Sequence, residues 1–81
     1  MRRECIEELV RGNREIEFEY HEKRYSITYF EENGKKKISV CRFYEKPLNV
    51  DSVDEALKLK IGNRTLEEIF SKLPDSAFDI Y

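Results

Sequence analysis

The segment from Glu15 to Tyr44 constrains the fold of this 81-residue chain more than any other. Apolar and polar residues alternate along three runs, and Asn33-Gly34 separates the second run from the third. A period of two is typical of β-strands with one buried face. Asn-Gly is the dipeptide that best tolerates the positive φ angles of a type I′ turn. The segment therefore predicts a three-stranded antiparallel β-meander.

Pairing outward from Asn33-Gly34 gives a register in which both charges and apolar side chains match. Glu32 faces Lys35 and Glu31 faces Lys36, while the apolar residues farther out meet apolar partners. A slip of one residue would turn the apolar side chains of the third strand toward solvent. The sequence therefore specifies this hairpin strongly.

The turn between the first two strands has weaker chemistry. If Glu22-Lys23 forms a two-residue turn, Tyr20 faces Tyr25 and Phe18 faces Ile27. Neither turn residue favours a positive φ angle, so a longer loop is an alternative. We expect the inner, core-forming face of the meander to consist of Ile16, Phe18, Tyr20, Tyr25, Ile27, Tyr29, Ile38 and Val40.

The alternation frays at the end of the third strand. Either the strand bulges at Arg42 so that Phe43 turns inward, or Arg42 lies at the core margin over Tyr25 and Tyr44 continues the buried row. Pro47 then stops the strand.

Helices are predicted before and after the meander in the sequence. Residues 2–11 carry a narrow apolar stripe, and Gly12 is expected to end that helix in the left-handed conformation. Ser52 with Glu55, and Thr65 with Glu68, have the spacing of capping boxes that open two short helices.

Three stretches of the second half are less determined. Leu48–Val50 is interpreted as a connection between the meander and the helices. Residues 57–61 fit either a helix reaching about Leu59 or a helical turn followed by a short extended piece. Residues 75–81 fit either a short edge strand or an extended tail.

These elements predict one α+β domain spanning residues 1–81. It consists of a three-stranded antiparallel meander with an N-terminal helix and two short C-terminal helices packed on one face. Cys5 and Cys41 have no CxxC spacing and could form a disulfide only if the fold brought them together, so we expect free thiols in a reducing cytoplasm. The sequence has no run of apolar residues long enough to cross a membrane, and no membrane association is expected.

No catalytic or cofactor motif is recognisable. Glu17, Glu19 and His21 share one face of the first strand, but neighbours of this kind lie about 6.5 Å apart and the opposite strand offers no further ligands. Glycine-rich phosphate loops are excluded, because the three glycines are isolated. We therefore expect a protein that is not an enzyme and holds neither a metal nor another cofactor.

The outer face of the meander is where a partner could bind. Glu15, Glu17 and Glu19 form an acidic row along the first strand, expected at an edge of the sheet, and Phe30 and Phe43 project outward nearby. These five residues are the predicted protein-binding site, suited to a basic groove on a protein that handles nucleic acid.

Two other functions remain open. Lys35-Lys36-Lys37 is the one basic cluster in the sequence, and with Phe30 and Phe43 it could form a nucleic-acid patch. The formal net charge of −2 argues against a dedicated nucleic-acid binder, and the lysines could instead pair with neighbouring glutamates. A homodimer through the first or third strand, taken as edge strands, is the other alternative.

The order of helix, three-stranded meander and two short helices resembles small proteins of bacterial phages and mobile elements, including some anti-CRISPR proteins. The resemblance rests on the layout of segments such as residues 15–20, Asn33-Gly34 and residues 65–70, and no motif matches residue by residue. It implies a stoichiometric inhibitor that occupies a groove on its target and performs no catalysis.

Overall fold

The computed structural model describes residues 1–42 and 45–81. In these two ranges the chain forms three α-helices and seven β-strands. The helices are α1 (Arg3–Arg11), α2 (Val53–Lys58) and α3 (Leu66–Lys72). The strands are β1 (Ile16–Tyr20), β2 (Lys23–Glu32), β3 (Lys35–Arg42), β4 (Leu48–Val50), β5 (Lys60–Ile61), β6 (Arg64–Thr65) and β7 (Phe78–Ile80), and a 3-10 helix, Asp75–Ala77, precedes β7. The predicted α+β class is confirmed.

Within the described residues, the main sheet has the order β4-β3-β2-β1-β7, with every neighbouring pair antiparallel. The predicted meander forms its centre. Leu48–Val50, interpreted from the sequence as a connection, is a strand paired with β3, and the tail adds β7 beside β1. The expectation that the first and third strands are edges is therefore wrong, because β4 and β7 cover them.

The β2–β3 hairpin has the predicted register. Asn33 and Gly34 have φ angles of 55° and 76°, as the tight turn requires. Glu32 pairs with Lys35, and the pairing continues until Arg42 lies opposite Tyr25. Arg42 therefore lies over Tyr25, as the second of the two alternatives for this strand end predicted. The expectations for Phe43 and Tyr44 fall outside the described residues.

The β1–β2 hairpin differs from the prediction by a shift of two residues. Its turn consists of His21 and Glu22, which both have left-handed φ angles of 51° and 65°. Such angles cost roughly 1–2 kcal/mol per residue for most side chains. The observed register offsets this cost, because Phe18 stacks on Tyr25 with ring centroids 5.3 Å apart. A shift of two residues leaves every side chain on its predicted face.

Helix α1 ends in a Schellman motif whose left-handed residue is Asn13 rather than the predicted Gly12. Gly12 has a φ angle of −85° and is not left-handed, whereas Asn13 has a φ angle of 55°. The amides of Asn13 and Arg14 donate to the carbonyls of Val10 and Leu9, at 3.1 and 2.9 Å. Asparagine tolerates the left-handed region, so the glycine is not needed there.

All three described helices pack on the predicted inner face of the main sheet. Their buried side chains join those of the strands in one core cluster, which comprises Ile6, Val10, Ile16, Phe18, Tyr25, Ile27, Ile38, Val40, Ala56, Leu57, Leu66, Ile69, Phe70 and Phe78. Phe18 is its centre, with ring centroids 5.0 Å from Phe70 and 5.8 Å from Phe78. Tyr20 and Tyr29 are only partly buried at its margin.

The link between α2 and α3 is a small hairpin. Helix α2 ends at Lys58, and the chain continues as β5, which settles residues 57–61 in favour of a helical turn followed by an extended piece. Gly62 and Asn63 form the turn, and β6 leads into α3. Thr65 and Glu68 form the predicted capping box at the start of α3. The β5–β6 hairpin stands beside the end of the main sheet.

Candidate functional site

The face of the main sheet that points away from the helices is called here the outer face. Strand pairing and alternation assign to it Glu17, Glu19, Arg24, Ser26, Thr28, Phe30, Lys37, Ser39, Cys41, Asn49 and Asp79. None of the three helices in residues 1–42 and 45–81 packs on this face, since their buried side chains join the core on the other side. An uncovered sheet face of this kind is available to a partner.

The centre of the outer face is made of small polar side chains. Ser26 and Ser39 are only 7% and 9% exposed. Ser26 pairs with Cys41, and Thr28 pairs with Ser39. The two serines themselves therefore offer little surface to a partner.

Glu17, one of the predicted site residues, is held in an ion-pair triangle. Nη2 of Arg24 lies 2.9 Å from a carboxylate oxygen of Glu17 and 3.3 Å from a carboxylate oxygen of Asp79. The hydrogen bond to Glu17 and then that to Asp79 raise the pKa of the Arg24 guanidinium. The tail strand β7 thus adds a carboxylate, Asp79, that the sequence did not place beside the acidic row.

The other two acidic residues of the predicted row are exposed. Glu19 lies opposite Arg24 in the strand register and makes no ion pair with another described residue. Glu15 precedes β1, and its carbonyl accepts the amide of Tyr81 at 2.9 Å. Burial first, and the charge of Glu15 second, raise the pKa of Tyr29 to about 12. The carboxylate of Glu15 is therefore close enough to Tyr29 for its negative charge to oppose ionisation of the phenol.

The three lysines of the predicted basic patch do not all lie together. Lys36 donates to the carbonyl of Val10 at 2.6 Å and to Oδ1 of Asn13 at 2.7 Å, at the end of α1. Lys37 pairs with Asp51, and this contact lowers the pKa of the Asp51 carboxyl. Lys35 is exposed opposite Glu32, and its charge also lowers the pKa of the Asp51 carboxyl. Lys36 is therefore separated from Lys35 and Lys37, and the three ammonium groups do not form one patch.

The aromatic and cysteine residues of the predicted outer face are partly placed. Phe30 is 37% exposed and lies opposite Lys37. Phe43 lies outside the described residues. Cys41 is half-buried, and its thiol donates to the carbonyl of Arg42 at 3.3 Å. Cys5 is exposed on α1, and both cysteines are free thiols.

A second feature, which sequence reasoning missed, is a basic pocket of about 380 Å³ at the end of the main sheet. Its lining is Tyr20, His21, Lys23, Tyr25, Arg42, Ile61, Gly62, Asn63 and Arg64. These residues come from β1, β2, β3 and the β5–β6 hairpin, so no continuous stretch of sequence carries the pattern. The Gly62-Asn63 turn was the one part of this pocket that a local sequence pattern predicted.

In residues 1–42 and 45–81, no three His, Cys, Asp or Glu side chains are grouped so that they could hold a metal ion. The described part of the chain also has no helix with the length and apolar character that a membrane span requires.

The chain matches no protein-family model, and comparison with curated proteins and with solved structures gave no match either.

Proposed function

We propose that this chain is a non-enzymatic protein-binding domain that presents its outer face to a partner with a basic surface. The observation that carries the proposal is the charge on one side of that face. Four carboxylates lie on β7, on β1 and just before β1, and within residues 1–42 and 45–81 Arg24 is the one cation that forms an ion pair with any of them. The four acidic residues are Glu15, Glu17, Glu19 and Asp79.

The ion-pair triangle supports this use of the face. Arg24 holds the carboxylates of Glu17 and Asp79 in fixed positions, with 2.9 and 3.3 Å contacts. Groups that are ordered before binding lose less side-chain entropy when a partner binds. Phe30, which is 37% exposed on the same face, adds an apolar contact.

A groove that ordinarily holds nucleic acid is the basic surface that fits best. Such a groove is lined by Lys and Arg, and an ordered acidic array on a small domain presents a charge of the same sign as phosphate. The proposed action is inhibition by occupying that groove, as the resemblance to anti-CRISPR proteins implies. The free thiols of Cys5 and Cys41 support a reducing, cytoplasmic location as part of the same proposal.

The test uses two matched charge reversals. Glu15→Lys with Glu19→Lys, the outer-face variant, reverses two exposed charges of the acidic row, one just before β1 and one on the outer face, and leaves the Arg24 triangle intact. Glu4→Lys with Glu8→Lys makes the same change in net charge at exposed positions of α1. Wild type and both variants are immobilised, exposed to extract of the cell of origin, and the retained proteins are identified by mass spectrometry.

We expect a protein that wild type and the α1 variant retain and that the outer-face variant loses. Its retention should fall with rising salt, because exposed charges are screened at ionic strengths above about 0.1 M. Retention of the same proteins by all three forms would remove the outer face as the binding surface.

A further inference from the structure

The basic pocket lies where the sheet extends beyond the helices. Tyr20, Lys23, Tyr25 and Arg42 all belong to the inner face by strand register, since Tyr20 pairs with Lys23 and Tyr25 pairs with Arg42. At this end the β5–β6 hairpin, rather than a helix, stands beside the sheet. The pocket is therefore formed where the end of the β1–β2 hairpin, together with β3, meets the β5–β6 hairpin.

The charge of this pocket is positive although the chain as a whole is negative. Lys23, Arg42 and Arg64 line it, and its described lining contains no Asp or Glu. Lys23 and Arg64 are exposed, and neither makes an ion pair with another described residue. With a formal net charge of −2 for the whole chain, this is a local separation of charge that favours an anionic ligand.

The positive surface continues into a neighbouring groove of about 190 Å³. The two cavities share four lining residues, namely Tyr25, Arg42, Ile61 and Gly62. Lys46 and Lys60 line the groove, and among its described lining residues the one acid, Glu45, is paired with Arg42. Cations spaced along two connected cavities suit an extended polyanion with several charges better than a single small anion.

One wall of the pocket is aromatic. The rings of Tyr20 and His21 are stacked, with centroids 4.1 Å apart and planes inclined by 23°. The left-handed φ angle of His21, 51°, places this residue in the turn, where it is exposed. An exposed, supported ring beside cations is the arrangement on which single-stranded nucleic acids stack their bases.

We propose that the pocket and groove together bind single-stranded nucleic acid. The ammonium group of Lys23 and the guanidinium group of Arg64 contact successive phosphates, and an unstacked base lies against the ring of His21. A duplex is disfavoured because its bases are stacked inside the helix and cannot reach the ring. This surface is separate from the outer face, so the proposal does not depend on the proposed protein-binding function.

The first experiment measures fluorescence anisotropy of a labelled single-stranded oligonucleotide of about 12 nucleotides, within the range that one binding domain covers. The full chain is titrated at salt concentrations between about 50 and 200 mM. Lys23→Glu with Arg64→Glu is compared with Lys35→Glu with Lys72→Glu, which makes the same charge change at exposed residues outside the cavity lining. Circular dichroism checks that both variants are folded.

We expect the pocket variant to weaken binding at least tenfold and the control variant to weaken it about twofold. Each lost phosphate contact lowers the slope of log K against log salt by about 0.7 for a single strand, so the pocket variant should lower it by about 1.4. Equal weakening by both variants would overturn the proposal, because binding would then follow net charge alone. Absence of binding by wild type up to about 100 µM protein at the lowest salt would also overturn it.

The second experiment tests the aromatic wall. His21→Asn removes the ring and keeps a residue that tolerates a positive φ angle. Base stacking is worth about fivefold or more in affinity per base, so we expect at least that loss for the oligonucleotide. The variant should bind an abasic strand of equal length as wild type does. An abasic strand or a phosphopeptide of equal charge that binds wild type as tightly as the oligonucleotide would exclude nucleic acid as the preferred ligand.

Discussion

Phe78→Ala is the sharpest test of the tail strand β7. The Phe78 side chain is 8% exposed, and its ring centroid lies 5.8 Å from that of Phe18 and 4.9 Å from that of Phe70. If the tail is part of the core, truncating this ring leaves a cavity between β1 and α3. If the tail only lay loosely on the surface, the same change would have little effect.

The size of the effect follows from burial. Replacing a buried Phe by Ala costs about 3–5 kcal/mol, and the position of Phe78 at the margin of the core puts it near 3 kcal/mol. A chain of this length has a total free energy of unfolding of about 4–12 kcal/mol. The variant should therefore lose a quarter or more of its stability, and a wild type at the lower limit would keep about 1 kcal/mol, so that about one molecule in six would be unfolded.

The assay is urea unfolding followed by circular dichroism. The midpoint should fall with little change in slope, because the surface exposed on unfolding is nearly unchanged. Ile80→Ala is the matched control in the same strand. Its side chain is 38% exposed, so it should cost about 1 kcal/mol. A loss below about 1 kcal/mol for Phe78→Ala would refute the conclusion that β7 is packed in the core.

Three further predictions test local features. Glu22→Gly should raise the free energy of unfolding by about 1 kcal/mol in urea titrations, because glycine relieves a left-handed φ angle of 65°; a decrease would mean that Glu22 does not occupy the turn. Thr65→Ala should lower it by about 1 kcal/mol through loss of the α3 cap, and an unchanged midpoint would contradict the capping box. The phenol of Tyr29 should titrate with a pKa of about 12, seen as an absorbance change near 295 nm that Tyr29→Phe removes. Since the folded-state pKa is raised above the ordinary value of 10.0, its stabilising contribution is complete below pH 10 and is lost as the pH rises through about 12.

The sequence predicted correctly those elements whose turn residues, charges and apolar side chains all favour the conformation that packing also requires. The β2–β3 hairpin has a turn dipeptide, a charge match and an apolar match that all give one register. The β1–β2 hairpin lacks such agreement, because His21 and Glu22 rarely adopt left-handed angles. Its register follows instead from stacking of Phe18 on Tyr25, which acts across the sheet and leaves no local signal in the turn.

The short strands and the sites were harder to predict for a related reason. Three residues of β4 or β7 are too few for a period of two to be distinguished from chance. The acidic residues were found, but Arg24 joins Glu17 to Asp79 across 62 positions of sequence, and no pattern within either strand indicates this. Likewise, Lys36 belongs to a run of three lysines, yet its ammonium group donates a hydrogen bond to the Val10 carbonyl at the end of α1.

The position of β7 has a consequence for synthesis. Strand β1 is synthesised before β7, the strand that pairs with its free edge, and the other described strands and all three described helices lie between β7 and β1 or before β1 in the sequence. Until β7 is made, β1 exposes unpaired amide and carbonyl groups beside a row of apolar side chains, which is a template for pairing with other chains. The glutamates that alternate along β1 repel a second copy of the same strand during that interval. Part of the acidic row is thus useful to the nascent chain before the folded protein meets any partner.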